Sequence, residues 1–298
     1  MIKLISVIIP TYNPNQAKLD LTIKHLEEQN LSKDLWELII VDNNSSKAIK
    51  VNCSPTLNYQ VIKELTQGLT HARLAGLRAA KGELIVMVDD DNLLRPDYLA
   101  NAAAIFASNL NLGAAGGKIL GAFDNEPEAW LADFYELLAI RDLGEEVILA
   151  HWDKTYPKAS PVGAGMVLRM DALKIYRNKV HVILDRTGNS LSSGGDNDIV
   201  IEVLKAGWQV GYFPLLELKH LIPPSRTTFK YISKLTNESS KSWVILLQSH
   251  NICPWKKIRR CTVPIRKIRA WFAYKAWSNK INYIKWKGAC GIFDGLAT

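Results

Sequence analysis

The stretch "ELIVMVDDDNLLRP", Glu83 to Pro96, sets three aspartates directly after an apolar run. A short apolar run of this kind reads as a strand buried on both faces. Two carboxylates about 4 Å apart repel by about 1 kcal/mol in water and about 4 kcal/mol near a protein surface. A strand that ends in three of them needs water, a helix N-terminus, a basic side chain or a metal ion to offset that repulsion. The plain alternative is a solvated loop in which an aspartate caps the next helix.

The flanking sequence repeats one rhythm. "LISVIIP" (4–10), "WELIIVDNNS" (36–45) and "YQVIKEL" (59–65) read as further buried strands, each closed by turn residues or proline. "LDLTIKHLEEQ" (19–29) has helical spacing at Leu19, Ile23 and Leu26. "LTHARLAGLRAAKG" (69–82) reads as a helix with a glycine stop at Gly82, and "RPDYLANAAAIFAS" (95–108) as a helix with Pro96 near its first turn. Strands alternating with helices predict an α/β fold, a mostly parallel sheet with helices on both faces. Ligands of such sheets bind beyond the carboxyl ends of the strands. Three of those ends carry polar clusters, Thr11-Tyr12-Asn13, Asp42-Asn43-Asn44 and Asp89-Asp90-Asp91, which are predicted to gather in one crevice.

The second half is less regular. "GAAGGKILGAF" (113–123) suggests a strand, and "WLADFYELLAI" (130–140) an amphipathic helix. "PVGAGMVLRMDAL" (161–173) reads as a loop, a strand and a helix. "SGGDNDIVIEVLKAGWQVGYFP" (193–214) reads as a glycine turn, a helix, a glycine stop and a strand.

Of the 298 residues, 48% are hydrophobic and 22% charged, a balance that supports a sizeable core. Cys53, Cys253, Cys261 and Cys290 form no CxxC pair and no disulfide framework, which points to a reducing, cytosolic setting. The first apolar run stops at Pro10 without a small-residue cleavage site, so no signal peptide is expected. No run approaches the ~18 apolar residues of a membrane span, so the chain is not expected to thread a bilayer. The net charge of +8 is unevenly placed. Residues 239–298 hold 12 of the 37 Lys and Arg and one of the 29 acids, a local +11, which leaves the first 238 residues at −3. The tail interleaves those cations with Trp255, Trp271, Phe272, Trp277, Tyr283 and Trp286, and places Ile265, Ile268 and Phe272 on one helical face. Such a segment suits the headgroup region of an anionic membrane. Packing onto the acidic body is the second reading. Nucleic acid is not expected as a partner.

Five pieces, in order over roughly the first 225 residues, resemble the family 2 glycosyltransferases of GT-A fold: "SVIIPTYN", "ELIIVDNNSS", "HARLAGLRAAKGELIVMVDDDN", "PVGAGMVLR" and "GGDNDIVIEVLKAGW". The resemblance implies a Rossmann-like sheet, a nucleotide-sugar donor, a divalent metal (Mn2+ or Mg2+) and inverting transfer of a sugar to an acceptor hydroxyl. It divides the chain into a nucleotide-sugar-binding half (1–115), an acceptor and catalytic half of the same domain (116–235) and a basic, aromatic, helical C-terminal extension (236–298). Pro10, Thr11, Tyr12 and Asn13 would border the nucleobase, and Asp42 would accept from a base N–H. Arg73 would face the diphosphate or brace the site, although Leu74 stands where the family often has Asn. Asp89 would serve the ribose side, Asp90 is ambiguous, and Asp91 would bind the metal. Gly163 and Gly165 would form the floor under the donor sugar. Asp196 matches the catalytic base, with Asp198 the alternative; Gly195 replaces the acid that commonly precedes it. His220 would be a further metal ligand, and Arg226 nearby could bind phosphate. Trp130 and Trp152 are candidate acceptor platforms, or core.

Uridine is the family's commonest donor nucleotide, which makes a UDP-sugar the expected donor. The implied setting is synthesis of a polysaccharide or cell-surface glycan, with a free or lipid-linked glycan as acceptor. The enzyme would be cytoplasmic and peripheral on the membrane face. The processive "QxxRW" motif is absent. A sugar nucleotidyltransferase would show a glycine-rich phosphate loop, which "PTYNPNQ" is not. A non-catalytic binding protein of the same fold is kept open by Gly195.

Overall fold

The computed structural model describes residues 4–181, 185 and 190–298. Among the described residues, 4–122, 139–180 and 199–221 form one compact unit, and 123–138, 181, 185, 190–198 and 222–298 a second.

The elements run β1 (Ile5–Thr11), α1 (Gln16–Glu27), β2 (Trp36–Asp42), β3 (Tyr59–Lys63), α2 (Leu69–Ala79), β4 (Leu84–Met87), β5 (Asn92–Leu94), α3 (Tyr98–Ser108), β6 (Leu112–Gly116), β7 (Ile119–Phe123), β8 (Ile148–Ala150), β9 (Val167–Arg169), α4 (Lys174–Asn178), α5 (Gly195–Lys205), β10 (Gln209–Tyr212), β11 (Leu218–Ile222), α6 (Phe229–Ser249), α7 (Val263–Ala273) and α8 (Lys280–Leu296). Eight strands form one sheet in the order β3-β2-β1-β4-β9-β6-β10-β8, and β5-β11-β7 form a second, small one. The large sheet is parallel from β3 to β4 and again between β6 and β10, while β9 runs antiparallel to both of its neighbours.

The central strands β1, β2 and β4 are buried on both faces, which is why they read as largely apolar runs; two polar residues buried within them, Ser6 and Glu37, hydrogen-bond each other. Along β1, Ile5, Val7 and Ile9 join Leu19, Ile23 and Leu26 of α1 and Phe106 of α3 on one side. Ile8 points the other way, to Ala72 of α2, Tyr176 of α4 and Ile199 of α5. Each such aliphatic side chain contributes about 1.5–3 kcal/mol on full burial.

Four expectations are corrected. β3 is not buried: it is the edge strand, its residues alternate between exposed and half-buried, and Val61 is 45% exposed. An edge strand has one bonded neighbour and faces solvent on the other side. The helix ending near Gly82 stops at Ala79, capped through the Ala80 N–H to the Gly76 carbonyl. Gly82 serves close approach instead, since a Cβ there would sit 2.5 Å from the Ser6 backbone nitrogen. The single strand over 113–123 is two, β6 bonding toward β10 and β7 joining the small sheet. The helix expected over 130–140 is a 3₁₀ run, Ala129–Leu138; it buries Leu131 and Phe134, three residues apart as that winding requires.

In the second unit α6, α7 and α8 carry most of the ordered structure. Trp271 of α7 packs edge-on to Trp286 of α8 at 4.8 Å between centroids, and Tyr283 lies against both. Lys267 pairs with Asp294 at 2.7 Å. Lys280 reaches Glu128, the residue just before the 3₁₀ run, and Lys285 reaches Asp133 within it. Part of the basic tail is therefore neutralised within this unit. No described helix is long and apolar enough to cross a membrane.

Gly165 has a left-handed φ of +71°, and a Cβ there would meet Leu218 Cδ2 at 2.4 Å and Tyr98 Oη at 2.7 Å. Strain and overpacking act together, so Gly165→Ala is expected to lower stability by about 2–4 kcal/mol. Urea unfolding would show this as an earlier midpoint at unchanged slope.

Candidate active site

The predicted crevice residues of the first unit are brought together at the carboxyl ends of β1, β2 and β4. Thr11 is buried, and its hydroxyl donates to Asp90 Oδ2, tying the end of β1 to the aspartates. The Thr11 carbonyl accepts from the Asn43 N–H at 2.8 Å. Asn13 takes a positive φ and accepts at Oδ1 from the Ser46 N–H and hydroxyl, both at 2.9 Å. The Ser45 N–H donates to Asp42 Oδ1 at 2.9 Å, a local backbone-to-side-chain bond that fixes a buried carboxylate at the end of β2. Tyr12 is left 50% exposed, its ring available as an aromatic face. Arg73 is buried on α2, which favours bracing over diphosphate contact among its two expected roles.

The three aspartates make the turn from β4 into β5. The Asp89 N–H donates to Asn92 Oδ1 at 3.1 Å, and the Asn92 N–H returns to the Asp89 carbonyl at 3.0 Å. Asp91 is buried and accepts at Oδ1 from Asn92 Nδ2 at 3.3 Å. β5 pairs antiparallel with β11, which sets His220 opposite Asn92. The His220 Nε2 atom thereby lies 3.4 Å from Asp91 Oδ1, with both side chains largely buried. That is long for a hydrogen bond. Two ligands of one octahedral cation, each at about 2.1 Å, stand about 3 Å apart. A carboxylate oxygen beside an imidazole nitrogen is a donor set that fits Mn2+. Asp91 and His220 can therefore hold a divalent cation.

Gly163 and Gly165 lie in the loop before β9, whose last residue reaches β4: the Met87 N–H donates to the Met166 carbonyl at 2.8 Å. The Tyr98 hydroxyl donates to the Gly165 carbonyl, and burial pushes that phenol well above its ordinary range. The loop is pinned from below beside the aspartates, and the missing Cβ of Gly165 keeps it there.

In the second unit, Asp196 and Asp198 occupy the first turn of α5. Gly194, at φ +143°, turns the chain into the helix, and the Gly195 N–H donates to Asp185 Oδ2 at 2.8 Å. Asp185 thus places a buried carboxylate at the helix N-terminus, where the dipole favours it. Asp198 is buried, with His250 Nε2 at 2.7 Å from Oδ1 and His181 Nδ1 at 3.7 Å from Oδ2. Asp196 is only half-buried and accepts from the Asn197 N–H at 3.0 Å. Of the two candidate bases, Asp198 is enclosed by histidines and Asp196 is the more accessible. Sequence reasoning missed the two histidines and Asp185. His250 stands 52 residues from Asp198 and no local pattern links them. Removing His250 takes the nearest partner, at 2.7 Å, from a buried carboxylate, so His250→Ala is expected to destabilise the protein by about 3 kcal/mol. Thermal unfolding would measure it.

Arg226 lies in a 3₁₀ turn of the second unit. Trp130 has Phe229 edge-on at 6.3 Å and Lys280 5.4 Å from its ring centroid, and Trp152 packs on the sheet's core. Both tryptophans are engaged within their own units.

Residues 6–175 match the sequence profile described as Glycosyl transferase family 2. An N-acetylglucosaminyltransferase of Sinorhizobium fredii is 24% identical over 230 residues, 74% of this chain and 53% of that protein. The chain therefore spans about half the length of this curated relative. An uncharacterized glycosyltransferase of Haemophilus influenzae is 30% identical over 110 residues, 37% of this chain and 36% of the relative. Among solved structures, a mannosyltransferase of Pyrobaculum calidifontis in complex with GDP-Man and Mn2+ aligns with a TM-score of 0.59 at 17% identity, covering 97% of this chain and 73% of that one. TarS of S. aureus (residues 1–349, in complex with UDP) aligns with a TM-score of 0.52 at 15% identity, covering 97% and 89%.

Proposed function

The chain belongs to glycosyl transferase family 2, and from that premise we propose that it moves a sugar from a nucleoside-diphosphate sugar to an acceptor hydroxyl, with inversion. The observation that carries the reading is the buried pair of Asp91 and His220, 3.4 Å apart beside the aspartate turn. These two residues would hold Mn2+ or Mg2+. When bound, the cation supplies positive charge against the diphosphate of the leaving group.

The chain's own groups do the rest. Tyr12 offers its ring to the nucleobase, with Pro10, Thr11 and Asn13 shaping the border. Asp42, held by the Ser45 N–H, accepts from a base N–H. Asp89 meets the ribose, and Asp90 fixes the turn through Thr11. Gly163 and Gly165 let the donor sugar approach the backbone. Asp196 takes the proton of the acceptor hydroxyl as its oxygen bonds to the anomeric carbon. The bond from that carbon to the diphosphate breaks, and the nucleoside diphosphate leaves with its electron pair.

The acceptor is a growing polysaccharide or cell-surface glycan, free or lipid-linked, met by an enzyme peripheral to the cytoplasmic membrane face. The relative that transfers N-acetylglucosamine makes an N-acetylhexosamine the first sugar to try. The two structural neighbours hold different nucleotides, GDP-Man and UDP, so the base is decided by experiment. Calorimetric titration with UDP, GDP and dTDP, each with Mn2+ and then with EDTA, tests the donor site. Binding of one nucleotide only with Mn2+ is expected. Binding of none would remove the donor-site reading.

A further inference from the structure

α7 shows two faces. Inward, Ala270 is buried, Lys267 is paired with Asp294, and Trp271 packs on Trp286. Outward, Ile265, Ile268 and Phe272 are 57%, 59% and 63% exposed. These three fall at helical positions i, i+3 and i+7, one stripe along the helix. Trp277, 58% exposed, extends the stripe past the end of α7, with its ring centroid 5.7 Å from that of Phe272. A single exposed apolar residue means little, but a contiguous run of them does.

Exposed cations frame the stripe. Arg266 and Arg269 lie along its edge on α7. Lys256, Lys257, Arg259 and Arg260 precede it, and Lys275 follows. No Asp or Glu occurs anywhere between Glu238 and Asp294. An apolar ridge rimmed only by positive charge matches one occupant best, a surface apolar below and anionic above. We propose that α7 and Trp277 dock the protein on an anionic lipid bilayer. The helix lies in the headgroup plane, with Ile265, Ile268, Phe272 and Trp277 in the acyl boundary and the cations on the phosphates. Trp271, Tyr283 and Trp286 are not part of this surface, because their rings pack on one another. Trp277 also lies 6.4 Å from Trp271 between ring centroids, so the docking stripe rests on this packed set.

This inference gives a surface to the peripheral location proposed above, but its test does not depend on transferase activity. The full chain is sedimented with vesicles of phosphatidylcholine alone and of equal parts phosphatidylcholine and phosphatidylglycerol. Binding to the anionic vesicles only, weakening as salt rises, is expected. The Ile268→Asp/Phe272→Asp variant should lose binding by at least about tenfold. Reversing charge at Arg266→Glu/Arg269→Glu should cost about thirtyfold or more, given about fivefold for each basic residue near such a surface. Circular dichroism checks that both variants fold, which the exposure of these positions favours. Absence of sedimentation, or sedimentation unchanged in both variants, would overturn the proposal. So would a concentration-dependent dimer that the Asp variant dissociates without any vesicle binding, which would make the stripe an interface between copies. Tighter binding to single-stranded RNA than to vesicles would overturn it as well. Nucleotide calorimetry on the same samples reports the donor site separately, so either reading can fail alone.

Discussion

Titrating Asp91→Ala with the nucleotide that the wild type prefers, in Mn2+, should show binding weakened by at least about a hundredfold, or about 3 kcal/mol. The reason is the position of the carboxylate. Asp91 is buried, its Oδ1 is oriented by Asn92 Nδ2, and His220 faces it from the neighbouring strand. In EDTA the variant and the wild type should bind nucleotide equally weakly, because the lost contribution is the cation's. His220→Ala should lose less, about tenfold, since a carboxylate ligand remains. If Asp91→Ala bound nucleotide in Mn2+ as the wild type does, the aspartate turn would have a purely structural explanation.

Asp196→Asn should lower kcat by about 10²- to 10⁴-fold, the range a positioned general base supplies, with nucleotide affinity unchanged. Asparagine keeps the shape and the acceptor oxygen toward the Asn197 N–H but cannot take a proton. Asp198→Asn is the paired control. That residue is enclosed by His250 and His181, so its loss should appear in the unfolding midpoint before it appears in kcat. Initial-rate kinetics with a radiolabelled donor, run beside thermal unfolding on both variants, separates the two roles. A rate loss confined to Asp198→Asn at unchanged stability would reverse the assignment.

The parts of the molecule legible in the sequence are those in which one residue type has one cause. β1, β2 and β4 are buried on both faces, so each appears as a largely apolar run, and the polar residues that follow mark the predicted crevice. β3 also carries adjacent β-branched residues, Val61 and Ile62, but lies at the edge, and a short run of this kind does not by itself separate the two cases. β9 is three residues long and pairs with β4 some eighty positions away, so only the fold reveals its partner. The aspartate turn was visible as a cluster of like charges. His220 was named beside Asp91 only through the family resemblance; the contact itself rests on the pairing of β5 with β11, which no local pattern encodes. The histidines around Asp198 were illegible because they stand far from it in sequence, His250 by 52 residues.

The reversed strand β9 has a consequence for how such a protein can diversify. Parallel strands send the loops at their carboxyl ends to one rim of a sheet and the loops at their amino ends to the other. Because β9 points the opposite way, the segment that enters it, 163–166, arrives at the rim where β4 delivers its aspartates. One inverted strand thus lends the crevice a wall drawn from a distant part of the gene. Changes of length or composition upstream of Val167 can remodel that wall without shifting the register of the strands that carry the acidic turn. If the proposed donor site is right, grafting this segment between relatives is expected to change the sugar accepted and to leave nucleotide binding unchanged.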